Sequence, residues 1–193
     1  MIDKKAVFWF DLETSGLSRS KNAIVEFAGL VEIDGEIKTT VHRFLSPEGY
    51  EVEPKAMEVN GLDAAELIKT GSAPKAFLEE LKVILAVYVN RWDPQDKFIC
   101  AGHNIIRFDR DFLWSVAKKE EVDFLGAYLD TVNIDTLALA HLCRAQGLLK
   151  LSNYKLVTLA EHFGIKQVAA HTALEDIMVT RDVYYKLMEL LGK

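Results

Sequence analysis

The chain changes hydrophobic period twice. Ala6–Asp11, "AVFWFD", is apolar without alternation up to its final acid, which is how a strand buried on both faces reads. Ala23–Ile33, "AIVEFAGLVEI", reads the same way. Asp34-Gly35 then offers a two-residue hairpin turn, and Glu36–Leu45 returns as a third strand. Three consecutive strands predict an antiparallel meander. "SPEGYEVEP" reads as irregular. "GLDAAELIKTG" then predicts a short helix closed by Gly71. Ser72 is expected to cap a longer helix from about Pro74 to Val89, with proline in its first turn. Lys97–Gly102 is a short β-run, followed by a helix over about Arg107–Lys119 and a short strand near Asn133–Ile134. Helices follow over about Thr136–Gln146, over "KLVTLAEHFGI" up to Gly164, and over about Thr172–Leu191. A meander followed by alternating helices and strands predicts an α/β architecture, one mixed sheet with helices on its faces.

Composition narrows the possibilities. A chain of 193 residues that is 50% hydrophobic suits one domain over residues 1–193. Lys plus Arg is 23 and Asp plus Glu is 29, so the formal net charge is 23 − 29 = −6. That excludes a general basic coat for nucleic acid but leaves a nucleic-acid substrate open, because bound cations can supply positive charge locally. Cys100 and Cys143 have no partner at metal-ligand spacing and read as reduced, buried thiols of a cytoplasmic protein. "AVFWF" is too short for a signal-peptide core, and no run approaches the roughly 20 apolar residues of a membrane span. The last predicted helix ends within a few residues of Lys193, which leaves no tail for docking a polymerase and favours a stand-alone or lightly associated protein.

The candidate chemistry lies in acids next to apolar sequence. Asp11 and Glu13 are two apart on a strand, on one face and about 6.6 Å apart along the chain, so they could share a cation. Asp109, in "HNIIRFDRDFL", opens a helix whose packed side carries Phe112 and Leu113. Asp176 has Ala173, Val179 and Thr180 as helical neighbours, and His171 precedes it by five residues. Asp111, Glu175 and Asp182 read as solvated acids. Four buried carboxylates cannot converge without counter-charge, since an unpaired buried charge costs several kcal/mol. Hard oxygen donors without thiolate select Mg²⁺ or Mn²⁺. Such a cluster suits two-metal phosphodiester cleavage. His171, with an ordinary pKa near 6.5, suits the removal of a proton from water.

Three motifs in order, "FDLETSGL", "HNIIRFDRDFL" and "HTALEDIMVTRDVY", cover nearly the whole chain. With them the sequence resembles the DEDDh, or DnaQ-like, 3′–5′ exonucleases, the family that includes the epsilon proofreading subunit of bacterial replicative polymerases. The resemblance implies a three-layer, ribonuclease H-like fold with a five-stranded mixed sheet. It implies that Asp11, Glu13 and Asp176 hold the nucleophile-side metal. Asp11 would bridge to a second ion, which Asp109 would bind directly or through water, and His171 would be the general base. It further implies that Leu12, Thr14, Leu17, Asn104 and Phe108 line the substrate site, with Thr14 backbone at the terminal 3′-hydroxyl and Leu17 against the terminal base. The expected partners are single-stranded 3′ ends, DNA before RNA, and a polymerase or repair protein. An exoribonuclease and a non-catalytic, nucleic-acid- or polymerase-binding subunit are the alternatives.

Other residues carry weaker expectations. Glu26, mid-strand, reads as a structural hydrogen-bonding group and Asp135 as a helix N-cap. His42, His141 and His162 lack acidic partners at useful spacing and read as ordinary element residues. Trp9 and Trp114 read as core rather than base-stacking platforms. Arg19, Lys21, Arg107 and Arg110 form a candidate patch for the phosphate backbone.

Overall fold

A computed structural model describes residues 5–122, 125–166 and 172–192. The elements are β1 (Ala6–Thr14), β2 (Ile24–Ile33), β3 (Glu36–Phe44), α1 (Pro54–Asn60), α2 (Ala64–Thr70), α3 (Pro74–Ala86), β4 (Phe98–Gly102), α4 (Asp109–Lys119), α5 (Leu125–Tyr128), β5 (Leu129–Asp135), α6 (Thr136–Ala145), α7 (Leu156–Phe163) and α8 (Ala173–Leu190). The sheet order is β3-β2-β1-β4-β5. The first three strands form the expected antiparallel meander, while β1, β4 and β5 run parallel. Asp34 and Gly35 both have positive φ, 52° and 85°, as a two-residue hairpin turn of this hand requires.

The period-2 alternation of β1 decides the layers. Phe8, Phe10 and Leu12 point into one core with Phe27, Val31, Phe77 and Leu81 of the meander and α3, and with Phe112 and Leu113 of α4. Trp9 points to the opposite face, where it meets Ala28, Leu30 and Ala101 with Ala173 and Ile177 of α8. Trp9 is fully buried, in line with its reading as core, and its ring lies 5.2 Å from Tyr184. A further cluster joins α6, α7 and α8 through Cys143, Leu159, Val183 and Leu187. Cys100 and Cys143 are both buried and unpaired, and burial pushes the Cys100 thiol up to about 12. The α8 helix is tied to the meander by Glu32, whose carboxylate accepts from Arg181 and from the Tyr185 hydroxyl (2.8 Å), while Arg181 also donates to the Gly35 carbonyl (2.9 Å). Among the described residues no helix is long and apolar enough to cross a membrane.

Several boundaries depart from the sequence reading. Strand β1 continues past Asp11 to Thr14, because its edges stay paired with β2 as far as Thr14↔Ile24. Helices α1 and α5 fall in segments read as irregular or unassigned. Ser72 is not the cap of α3: Ala73 holds that position without a side-chain bond, and Ser72 backbone bridges to Phe44 and Ser46 instead. Thr172 and Asp135 do cap α8 and α6, accepting from Glu175 N–H and Leu137 N–H.

Phe27 sits among Phe8, Phe10 and Phe77 at ring separations of 6.2, 6.1 and 4.7 Å. Replacing Phe27 with alanine should cost about 3–5 kcal/mol. Urea unfolding should show this as a lower midpoint with an unchanged m-value.

Candidate active site

The acids converge because three elements end at one place. Asp11 and Glu13 follow Trp9 at period 2, so they share the face of β1 on which α8 packs. Ala173 and Ile177 anchor that packing, and Asp176, beside Ile177, comes to the same spot. Carboxylate oxygens of Asp11, Glu13 and Asp176 all lie within 4.8 Å of one another. Asp176 is in the first turn of α8 and Asp109 in the first turn of α4, where the helix dipole favours negative charge. Asp109 is 4% exposed and accepts a hydrogen bond from the Leu12 N–H at 3.2 Å, which ties it to β1 beside the cluster. Its influence on Asp11 is the largest of any neighbouring charge.

The electrostatics follow from this crowding. Burial, then repulsion from Asp109, Asp176, Glu13 and Glu26, holds the Asp11 carboxyl well above the usual range. Burial and then Glu26 and Asp176 push Glu13 up to about 7. Burial pushes Asp109 up to about 7 against the lowering effect of its own N–H and that of Leu12. All the donors are carboxylate oxygens, and their charges can coexist only with a cation among them. The residues therefore fit a hard divalent ion.

Glu26 pairs across the strands with Glu13 and is 1% exposed. It binds His42 Nε2 at 2.8 Å, so it makes the hydrogen bond expected of it. His42, read as lacking an acidic partner, has one in Glu26, a diagonal cross-strand contact that sequence spacing does not reveal.

The substrate-lining candidates divide between two cavities. Leu12, Glu13, Thr14, Leu17 and Phe108 border one of about 360 Å³, which Val59 and Asn60 of α1 also line. Leu17 is 78% exposed at its rim. Asn60 Nδ2 donates to the Thr14 carbonyl at 3.0 Å, and the Thr14 hydroxyl donates to Gly16 O at 2.8 Å. Gly16 has no room for a side chain: a Cβ would approach Asn22 Cγ to 2.6 Å. Asn104 has φ 62° and donates its N–H to Asp135 at 2.9 Å, and it borders a different, larger cavity. Val59 and Asn60 were not among the sequence candidates. His171 lies outside the described residues.

The candidate basic patch is partly neutralised. Arg19 pairs with Asp111 at 2.6 Å and Lys21 with Glu51 at 3.4 Å, while Arg110 lies over the Trp114 ring at 4.9 Å.

The exonuclease family, RNase T type, is matched over residues 8–184. The chain belongs to this exonuclease family. It is 30% identical over 183 residues to the PolC-type DNA polymerase III of Thermotoga maritima, covering 95% of this chain and 12% of that protein. The corresponding polymerase of Caldanaerobacter subterraneus subsp. tengcongensis is 29% identical over 94% of this chain and 11% of its own length. The exonuclease domain thus spans only about an eighth of these relatives. The DNA polymerase III subunit epsilon of Aquifex aeolicus is 24% identical over 94% of the chain and 79% of that subunit. This chain has the fold of E. coli exonuclease I, solved in complex with a dA16 oligonucleotide (TM-score 0.76, 20% identity, 96% of this chain and 41% of that one). The exonuclease I of Methylocaldum szegediense superposes equally well (TM-score 0.76, 21% identity, 98% and 41%). The expected ribonuclease H-like, five-stranded mixed sheet is the observed one.

The raised carboxyls set a pH dependence for the metal-free exonuclease domain. Between the ordinary carboxylate range and about pH 7, the folded state keeps protons on Glu13 and Asp109 that the unfolded chain has released. Metal-free stability should therefore fall as pH rises through that window. Mn²⁺ at one fixed concentration, about 100 times its dissociation constant at pH 8, should add ~2.7 kcal/mol there, about 5–10 °C in Tm for a chain of this size. Thermal melts with EDTA and with Mn²⁺ should show the larger gain at pH 8 than at pH 5. Equal gains would contradict the assigned electrostatics.

Proposed function

We propose that this chain is a divalent-metal-dependent 3′–5′ exonuclease of the DEDDh type. It releases nucleoside 5′-monophosphates from single-stranded ends, DNA in preference to RNA. The observation that carries the reading is the carboxylate cluster of Asp11, Glu13 and Asp176, with Asp109 held beside it, next to a cavity sized for one nucleotide. Membership of the exonuclease family supports it, as do relatives named as DNA polymerase III proteins and neighbours solved with DNA.

In this reading Asp11, Glu13, Asp176 and Asp109 hold two ions, Mg²⁺ or Mn²⁺. When bound, these ions supply positive charge at the scissile phosphate and acidify water. The chain supplies the rest. The exposed Leu17 side chain and Phe108 grip the terminal base and sugar, while Asn60 fixes the Thr14 backbone that meets the 3′-hydroxyl. His171, five residues before Asp176, takes the proton of the attacking water. Leu12 contributes through its N–H, which aims Asp109. Asn104 supports the loop between β4 and α4 through Asp135. The two unpaired thiols suit a cytoplasmic setting, and kinship with polymerase subunits suits a replication or repair partner.

A 3′-labelled oligonucleotide should lose mononucleotides with Mg²⁺ or Mn²⁺ and not with EDTA. No release with either ion would sink the proposal. A matched RNA strand should be trimmed more slowly, since DNA and RNA differ at the 2′-hydroxyl. His171→Ala should lower turnover by roughly 10²–10⁴-fold with metal binding retained. Asp176→Asn should weaken both, and calorimetric metal titration separates the two cases.

A further inference from the structure

A cavity of about 920 Å³ opens where the loop after β4, one face of α6 (Leu137, His141 and Arg144) and the segment 147–156 meet. Among the described residues no carboxylate lines it, although the chain carries a formal charge of −6. Arg144, Lys150 and Lys155 line it and are exposed. Among the described residues none of the three is in an ion pair, whereas Arg19, Lys21, Arg43 and Arg181 all are.

The wall behind these cations is fixed. Tyr154 is 8% exposed; its hydroxyl donates to Leu149 O at 3.4 Å, and its ring lies 4.9 Å from His141 and 5.7 Å from the Arg144 guanidinium. Asn153 Oδ1 accepts from Lys155 N–H at 3.1 Å and from the Thr158 hydroxyl at 2.7 Å, which sets the turn into α7. His103 Nδ1 bonds the Thr136 hydroxyl at 2.9 Å, joining the start of α6 to the β4 loop.

The position relative to the acids is equally defined. Strands β1, β4 and β5 are parallel, so their C-terminal ends share one edge of the sheet. Along that edge the small cavity lies beside the end of β1 and α1, the acids at β1 itself, and the large cavity beyond β4 and β5. The loop 103–108 borders both, with Phe108 at the small cavity and Asn104 at the large one.

From this arrangement we infer that the large cavity binds the sugar-phosphate backbone of the substrate strand on the 5′ side of the bond being cut, through Arg144, Lys150 and Lys155. The inference rests on the 3′–5′ exonuclease reading, which puts the terminal nucleotide in the small cavity. A strand whose end lies there and whose scissile phosphate lies at the acids continues past Asn104. Unpaired lysine and arginine heads contact phosphates without reading bases. The Tyr154 ring is already stacked and buried, so this stretch recognises backbone and not sequence.

The test pairs a long ligand with a short one. Anisotropy of a labelled single strand of about 12 nucleotides, with Ca²⁺ in place of Mg²⁺, reads the whole path. The p-nitrophenyl ester of thymidine 5′-monophosphate, hydrolysed with Mn²⁺, fills only the terminal site. In the triple variant Arg144→Glu/Lys150→Glu/Lys155→Glu, strand Kd should rise at least about tenfold and the salt slope should drop by up to ~0.7 per lost contact. Ester hydrolysis and Tm should not change. The single variants Lys150→Ala and Lys155→Ala should each show a smaller part of the same effect, and they decide the matter if the triple variant does not fold. Unchanged strand affinity overturns the inference, as does a parallel loss of ester hydrolysis. A wild-type protein that binds the strand through these cations yet cleaves neither substrate would sink the exonuclease reading and leave the cavity as a polynucleotide site.

Discussion

The structure is organised around a repulsion it must tolerate. Three carboxylates from two elements lie within 4.8 Å of one another, and a fourth is held beside them by a backbone N–H. Left to themselves, such groups separate or take up protons. They stay together because the residues between them are locked elsewhere. Phe8, Phe10 and Leu12 fix one face of β1 in the aromatic core, which forces Asp11 and Glu13 onto the other. Ala173 and Ile177 hold α8 against that face. The cluster stores electrostatic energy that a bound cation would release, and hydrophobic packing fixes where the carboxylates meet.

The basic residues are arranged with the same economy. Near the first two motifs, Arg19 is matched to Asp111 and Lys21 to Glu51, while Arg110 rests on the Trp114 ring. Across the β4 edge, the cavity wall carries cations without acids. An acidic protein can thus present a positive track where a polyanion runs and remain negative over most of its surface.

The sequence showed most of this frame. Buried strands announce themselves as apolar runs, and the turn at Asp34-Gly35 demands residues that accept positive φ, so the meander was legible to within three residues, the end of β1 being the largest miss. The acids were legible because carboxylates next to apolar positions are costly without a purpose. What escaped lacked a period or a spacing. Helix α1 has seven residues and only Met57 buried, and α5 has four residues, too few turns to repeat a pattern. Asn60 and Val59 were therefore overlooked at the small cavity. Ser72 looked like a cap, but the backbone of that residue was already engaged in a bridge to Leu45. The Glu26–His42 pair joins residues sixteen apart through strand register, which composition and spacing do not encode.

Glu32 ties α8 to the meander through Arg181 and Tyr185, five and nine residues along the helix from Asp176. An α-helix is stiff over so short a span, so this tether acts as the fulcrum of a lever whose tip is Asp176. Tilting the helix about that fulcrum would swing the Asp176 carboxylate relative to Asp11 and Glu13, which are bound to the sheet. The hairpin at Asp34-Gly35, at the opposite end of the strands from the acids, is thereby linked through one helix to the position of the Asp176 carboxylate.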